Sequence, residues 1–118
     1  MLRKVVFHDP NFADDAWVRA IVETWKQRDR RKAFVATAFS LRRPDASVAA
    51  HLQRLTVPTL VLSGRQDVQF SWQSAKQAAE LIPGAHFSVV EDAAHFPMVE
   101  RPQETAALIQ QFLSEDAV

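Results

Sequence analysis

Val57-Pro58-Thr59-Leu60-Val61-Leu62-Ser63-Gly64-Arg65-Gln66-Asp67 is the stretch on which the fold turns. Its centre is a short, nearly all-apolar run rich in β-formers, with no polar residue at alternate positions. A strand wetted on one face alternates; an unbroken run reads as a strand buried on both faces, as in a parallel sheet. Gly64 is expected to break it, and Asp67 follows on a turn.

Working outward, Trp72, Ala75, Ala79 and Ile82 recur at helical spacing, and Pro83-Gly84 stops that helix. Residues 86–91 form a second strand. A loop then carries His95. Pro102 opens the last helix, a favoured first-turn position, whose apolar face holds Thr105, Leu108, Ile109, Phe112 and Leu113. Strand, helix, strand, helix implies a parallel pair joined by a right-handed crossover. Both strands then end on the same side, so Asp67 after the first and His95 after the second emerge as near neighbours. Open α/β sheets bind ligands at that carboxyl edge.

Upstream the texture changes. Residues 1–55 are charged, lack glycine and read as helical, against 56–118 for the strand–helix unit. Trp17, Val18, Ile21, Val22 and Trp25 mark one helix, with Asn11 or Asp14 as its cap. Phe34, Val35, Ala38, Phe39 and Leu41 mark a second, ending near Arg43 because Pro44 disfavours helix before it. Asp45 is placed to cap a third, short helix through Val48 and Leu52.

Composition narrows the classes. A chain of 118 residues holds one small domain, and 47% hydrophobic content makes it globular. Fourteen basic and fourteen acidic residues cancel, so nothing draws the chain toward nucleic acid or an anionic membrane. With no cysteine there is neither a disulfide framework nor thiolate chemistry, which is compatible with a cytoplasmic location. The short apolar run at the N-terminus ends at His8 and Asp9, too soon for a signal peptide, and no apolar stretch is long enough to span a bilayer.

With these residues in place, the second half resembles the α/β-hydrolase family. Residues 57–67 are similar to its penultimate strand and acid turn, and Ile82-Pro-Gly-Ala-His-Phe87 to the approach to its last strand. Asp92-Ala-Ala-His-Phe-Pro-Met-Val-Glu-Arg-Pro102 is similar to its histidine loop and closing helix. The likeness is close over 56–114 and weaker over 8–55, which resembles the end of a helical cap. It implies a partial α/β-hydrolase: a parallel βαβα unit preceded by cap-like helices. It implies Asp67 as the catalytic acid that orients the imidazole, and His95 as the general base. Phe96, Pro97, Glu100, Arg101 and Pro102 match the structural tail of the motif and receive no catalytic role. No cofactor is implied.

The family nucleophile sits on a Gly-x-Ser-x-Gly elbow. The two glycines here, Gly64 and Gly84, flank no such serine, and none of the seven serines has a strand before it and a helix after it. The oxyanion-hole segments are missing as well, and losing one such donor alone costs about 10²–10³ in turnover. The expectation is therefore a C-terminal hydrolase part that supplies acid and base for ester or related acyl hydrolysis of a small molecule, inactive alone. Its partner would be the N-terminal half of a hydrolase. Carbon–carbon bond hydrolysis fits the same fold, as do epoxide and haloalkane chemistry with an aspartate nucleophile. The rival is a non-catalytic truncated chain that self-associates through an open sheet edge. A small interaction module on the helical half is a third reading.

Other residues invite blander readings. Asp67 alone reads as a turn residue capping the helix near Trp72. His8, Asp9, Asp14 and Asp15 are metal-ligand types at no recognised metal spacing, and capping accounts for the acids. His51 and His86 have no partner suggested by sequence. Arg28, Arg30, Arg31 and Lys32 make a solvated face. Trp17, Trp25, Phe34 and Phe39 are either core or the lining of an apolar pocket, and core is the expectation.

Overall fold

A computed structural model describes residues 6–40 and 48–115. The expected helix end near Arg43 and the proposed cap Asp45 lie outside them.

After a short 3-10 turn at Pro10–Phe12 come α1 (Asp15–Lys26), α2 (Arg28–Ser40) and α3 (Ala49–Leu52). The second half runs β1 (Leu60–Gly64), α4 (Trp72–Glu80), β2 (His86–Val90), α5 (Pro97–Glu100) and α6 (Pro102–Glu115). Local chemistry explains several of these bounds. Asp14 accepts the Trp17 amide at 2.7 Å and caps α1, while Asp9 accepts the Asn11 amide at 2.9 Å and caps the 3-10 turn. Pro58 has no N–H to give a ladder, so β1 begins only at Leu60. Ser71 caps α4, its hydroxyl accepting the Ser74 amide. Gly84 takes a left-handed φ of +71° between α4 and β2, the conformation glycine adopts at no cost.

The two strands pair in parallel, Leu60 opposite His86 through Gly64 opposite Val90. They are the whole sheet among the described residues. The expectation of a strand buried on both faces is therefore corrected: Leu60, Val61 and Leu62 are half-buried. Two strands leave each partner with an outer edge and too few neighbours to cover both faces. Gly64 also ends β1 rather than breaking it.

Shielded residues lie at both ends of the sheet, most of them at the carboxyl end. Val90, Ala93 and Ala94 are essentially inaccessible, and Ala79 and Ile82 are buried nearby in sequence to β2. Phe7 joins this region from the other half of the chain. It is buried and meets Phe96 at 5.6 Å, Trp17 at 5.4 Å and Phe12 at 6.2 Å between ring centroids.

The helical pair differs. No residue of α1 or α2 is buried. Trp25, Phe34 and Phe39 are 40%, 57% and 65% exposed, which overturns the core expectation for these three; only Trp17, against Phe7, is drawn inward. Helical spacing says which residues share a face, not that a partner lies opposite. Trp25 and Phe34 meet edge to face at 4.7 Å.

Candidate active site

The site starts from the reach of two loops. The turn after β1 and the loop after β2 leave the same sheet edge, and backbone bonds lace them together. The Arg65 amide donates to the Val90 carbonyl at 2.9 Å, and the Gln66 amide to the Ala93 carbonyl at 2.9 Å. The Gln66 side chain returns the contact, accepting the Ala93 amide at 3.1 Å. So close an approach needs Gly64. A Cβ there would lie 2.5 Å from the Ala93 carbonyl oxygen and closer still to that of Ala94.

Asp67 divides its oxygens between two tasks. Oδ1 accepts the amides of Gln69 at 2.8 Å and Phe70 at 3.1 Å, a self-made turn that holds the carboxylate in place. It is this turn, not the cap of α4, that Asp67 supplies. Oδ2 is left for His95, whose Nδ1 lies 3.0 Å away. An ionised carboxylate only accepts, so the arrangement assigns the proton to Nδ1 and leaves Nε2 with a free lone pair. The Asp67 side chain is 8% exposed and that of His95 29%, so the acid is shielded and the imidazole reachable. Burial pushes the Asp67 carboxyl upward, but the His95 bond, the Phe70 and Gln69 amides and the attraction of the imidazole outweigh it. The carboxyl is held below its ordinary value. Phe70 stacks on the imidazole at 5.7 Å and Phe96 meets it edge-on at 5.1 Å, which fixes the ring plane.

Outside this pair, Arg65 grips Glu91 with two nitrogens, at 2.7 and 3.0 Å, and lies over the Trp72 ring at 4.5 Å. Asp92, with a left-handed φ of 51°, faces Arg101 at 3.3 Å and His8 at 4.0 Å. Among the described residues no three metal-ligating side chains converge, and His8, Asp9 and Asp14 are engaged in the pair and caps already described. His86 has neighbours that the sequence did not suggest: the Phe112 ring, and Glu115 at 3.7 Å. The Lys26–Lys32 run is exposed, with Lys26 on Glu23 and Arg31 on the Trp25 carbonyl. Open cavities occur at Phe34–Val35–Ala38–Phe39 and at Trp25–Arg30–Arg31–Phe34; neither is lined by Asp67 or His95. No described helix is long and apolar enough to cross a membrane.

The structure thus brings the two expected site residues together. It adds Gly64 and Gln66, which lace the loops, and Glu100, treated below. A glycine directly after an apolar strand and a glutamate in the turn beyond His95 were visible in the sequence, but only the fold shows what each of them touches.

The model of the alpha/beta hydrolase family matches residues 2–108, nearly the whole chain. This chain belongs to the α/β-hydrolase family. Among relatives, 2-hydroxy-6-oxo-6-(2'-aminophenyl)hexa-2,4-dienoic acid hydrolase of Metapseudomonas resinovorans is 27% identical over 98% of this chain and 41% of its own length. Monoacylglycerol lipase ABHD6 of Mus musculus is 32% identical over 58% of this chain and 20% of its own. The chain therefore spans less than half the length of either relative. Among solved structures, a serine hydrolase involved in carbazole degradation (the CarC enzyme) aligns with a TM-score of 0.71 at 27% identity, covering 86% of this chain and 40% of that one. An esterase from Thermogutta terrifontis aligns with a TM-score of 0.58 at 34% identity, over 63% and 26%. The α/β-hydrolase fold, as a partial unit with a small parallel sheet, is what the chain shares with them.

Proposed function

We propose that this α/β-hydrolase chain supplies the acid and the base of a hydrolytic site whose nucleophile comes from another segment. The observation that carries the reading is the 3.0 Å bond between Asp67 and His95 at the carboxyl edge of the parallel pair. Asp67 holds the Nδ1–H tautomer and stabilises the imidazolium as it forms. Nε2 takes the proton of an attacking hydroxyl and returns it to the leaving group. Hydrolysis of an ester or related acyl bond through an acyl-enzyme fits these roles, as does cleavage of a carbon–carbon bond by the same pair. With an aspartate nucleophile, the same base would instead activate water. The absence of cysteine is compatible with such chemistry in the cytoplasm.

The nucleophile elbow is expected from an upstream hydrolase segment, because no serine here lies on the glycine-flanked turn that the elbow requires. Two assays test this. The chain alone should neither hydrolyse a p-nitrophenyl ester nor take a serine-directed phosphonate. Completed with the elbow-bearing segment of a family member, it should do both, and His95→Ala should abolish turnover. Hydrolysis by the chain alone that depends on His95 would place a nucleophile within these 118 residues and overturn the proposal.

One feature favours a second reading. Among the described residues the two-stranded sheet has an unpaired outer edge on each strand, which invites association with another copy of the chain. A monomer at micromolar concentration in sedimentation would refute it.

A further inference from the structure

Glu100 is a carboxylate only 4% exposed, on a four-residue helix directly after the histidine loop. An apolar side chain of similar size would fill the position without the cost of stripping water from a charge. What the carboxylate does is visible in its two oxygens. Oε1 accepts the amide of Ala94, the residue before His95, at 2.7 Å. Oε2 accepts the amide of Asp9, from the far end of the chain, at 3.0 Å. A third bond completes the junction: the His95 amide donates to the Val6 carbonyl at 3.1 Å. Residues 6–9 and the histidine loop are thereby joined at the His95 amide and, through Glu100, at Ala94, with Phe7 against Phe96 beside them.

We infer that Glu100 is a positioning residue for His95, its buried carboxylate pinning the loop amide at Ala94 to the N-terminal segment so that the imidazole stays aimed at Asp67. This rests on the reading of Asp67 and His95 as acid and base, but its physical content is the loop geometry and can be tested apart from turnover. Hydrogen bonds to an ionised acceptor are roughly twice as strong as neutral ones, so the two amides should be among the slowest to open outside the strands. Glutamine can accept from one of them, but its NH₂ then faces the other N–H.

The test is amide exchange and ring-proton NMR on the full chain, as wild type, Glu100→Gln and Ile82→Val. The last is a control that trims a buried side chain away from the carboxylate. In Glu100→Gln, the Ala94 and Asp9 amides should exchange about tenfold faster or more, with Val61 and Val89 unchanged. The signal of the His95 Nδ1 proton held by Asp67 should broaden. Ile82→Val should move sheet and loop amides by a common factor. Exchange at Ala94 and Asp9 that is unchanged in Glu100→Gln, or that rises only in step with the sheet, overturns the inference. If Glu100→Gln does not fold, Asp9→Pro removes one of the two amides and is read against Asp9→Ala, which also loses the capping carboxylate but keeps that amide. Faster exchange at Ala94 then supports the junction, and no change overturns it. Ring and amide signals that follow Glu100 while the completed hydrolase is inert would uphold the positioning role and remove only the catalytic reading.

Discussion

The helices α1 and α2 hold more apolar side chains than the loops beyond β1 and β2, yet it is the loops that are tied down. The loops are held by contacts between residues far apart in sequence: Arg65 with Val90, Gln66 with Ala93, Asp67 with His95, Glu100 with Asp9. The side-chain bonds within α1 and α2 are local, such as Thr24 to Ala20 and Thr37 to Ala33, and the aromatics there stand half in water. Long-range bonds fix a geometry, whereas local ones fix only a helix. The first region is over-determined, which suits it to the acid and base roles proposed for Asp67 and His95. The second presents an apolar surface, with Trp25, Phe34 and Phe39 outermost, that has no cover among the described residues.

The comparison breaks most sharply at Asp67. In a completed hydrolase, Asp67→Asn leaves an acceptor for the Phe70 and Gln69 amides but can present an NH₂ to Nδ1, so the wrong imidazole tautomer is favoured. The expected loss in kcat is about 10⁴-fold, with KM little changed; a loss under tenfold would show that the pair is not the working acid and base.

Next comes Gly64→Ala. The added Cβ must push back two carbonyls of the histidine loop, since backbone cannot swing aside as a side chain would. Destabilisation of about 3 kcal/mol is expected by urea unfolding, together with loss of the Asp67–His95 bond. An unchanged midpoint would mean that the loops are not held so close.

Acid gives a smaller effect whose sign follows from Asp67. Its folded pKa is lowered, so its contribution is complete above the unfolded carboxyl value of about 3.9 and is lost as pH falls through the folded value. The part of the stability gap between wild type and Asp67→Asn that comes from the carboxylate should therefore shrink as pH falls below about 4. A gap that widened as pH fell below about 4 would reverse the assignment.

The smallest effect is expected in the helices. Phe39→Ala, at a site 65% exposed, should change stability by less than about 0.5 kcal/mol. A loss of 2 kcal/mol or more, about what core burial of such a ring would give, would show that α2 is covered in solution.

The same contrast governs what could be read from sequence. The parallel pair was legible because an unbroken apolar run before Gly64 and a second run after Pro83-Gly84 each signal a strand, and strand–helix–strand has one common handedness. That topology puts Asp67 and His95 at one sheet edge, and the resemblance to the α/β-hydrolases is what singles them out as acid and base. Proline and capping residues marked the start of α1 and of α6. The burial of Trp25, Phe34 and Phe39 was not legible, since periodicity reports a shared face and not its cover. Nor were the roles of Gly64, Gln66 and Glu100, which depend on how closely two loops approach, a distance no local pattern encodes.

The central claim is an energetic link between one carboxylate and one imidazole, best measured by a double-mutant cycle of Asp67→Asn and His95→Gln in urea unfolding at pH 7. A coupling of about 1–3 kcal/mol is predicted for this charge-assisted, mostly shielded bond. Strict additivity of the two substitutions would contradict the account.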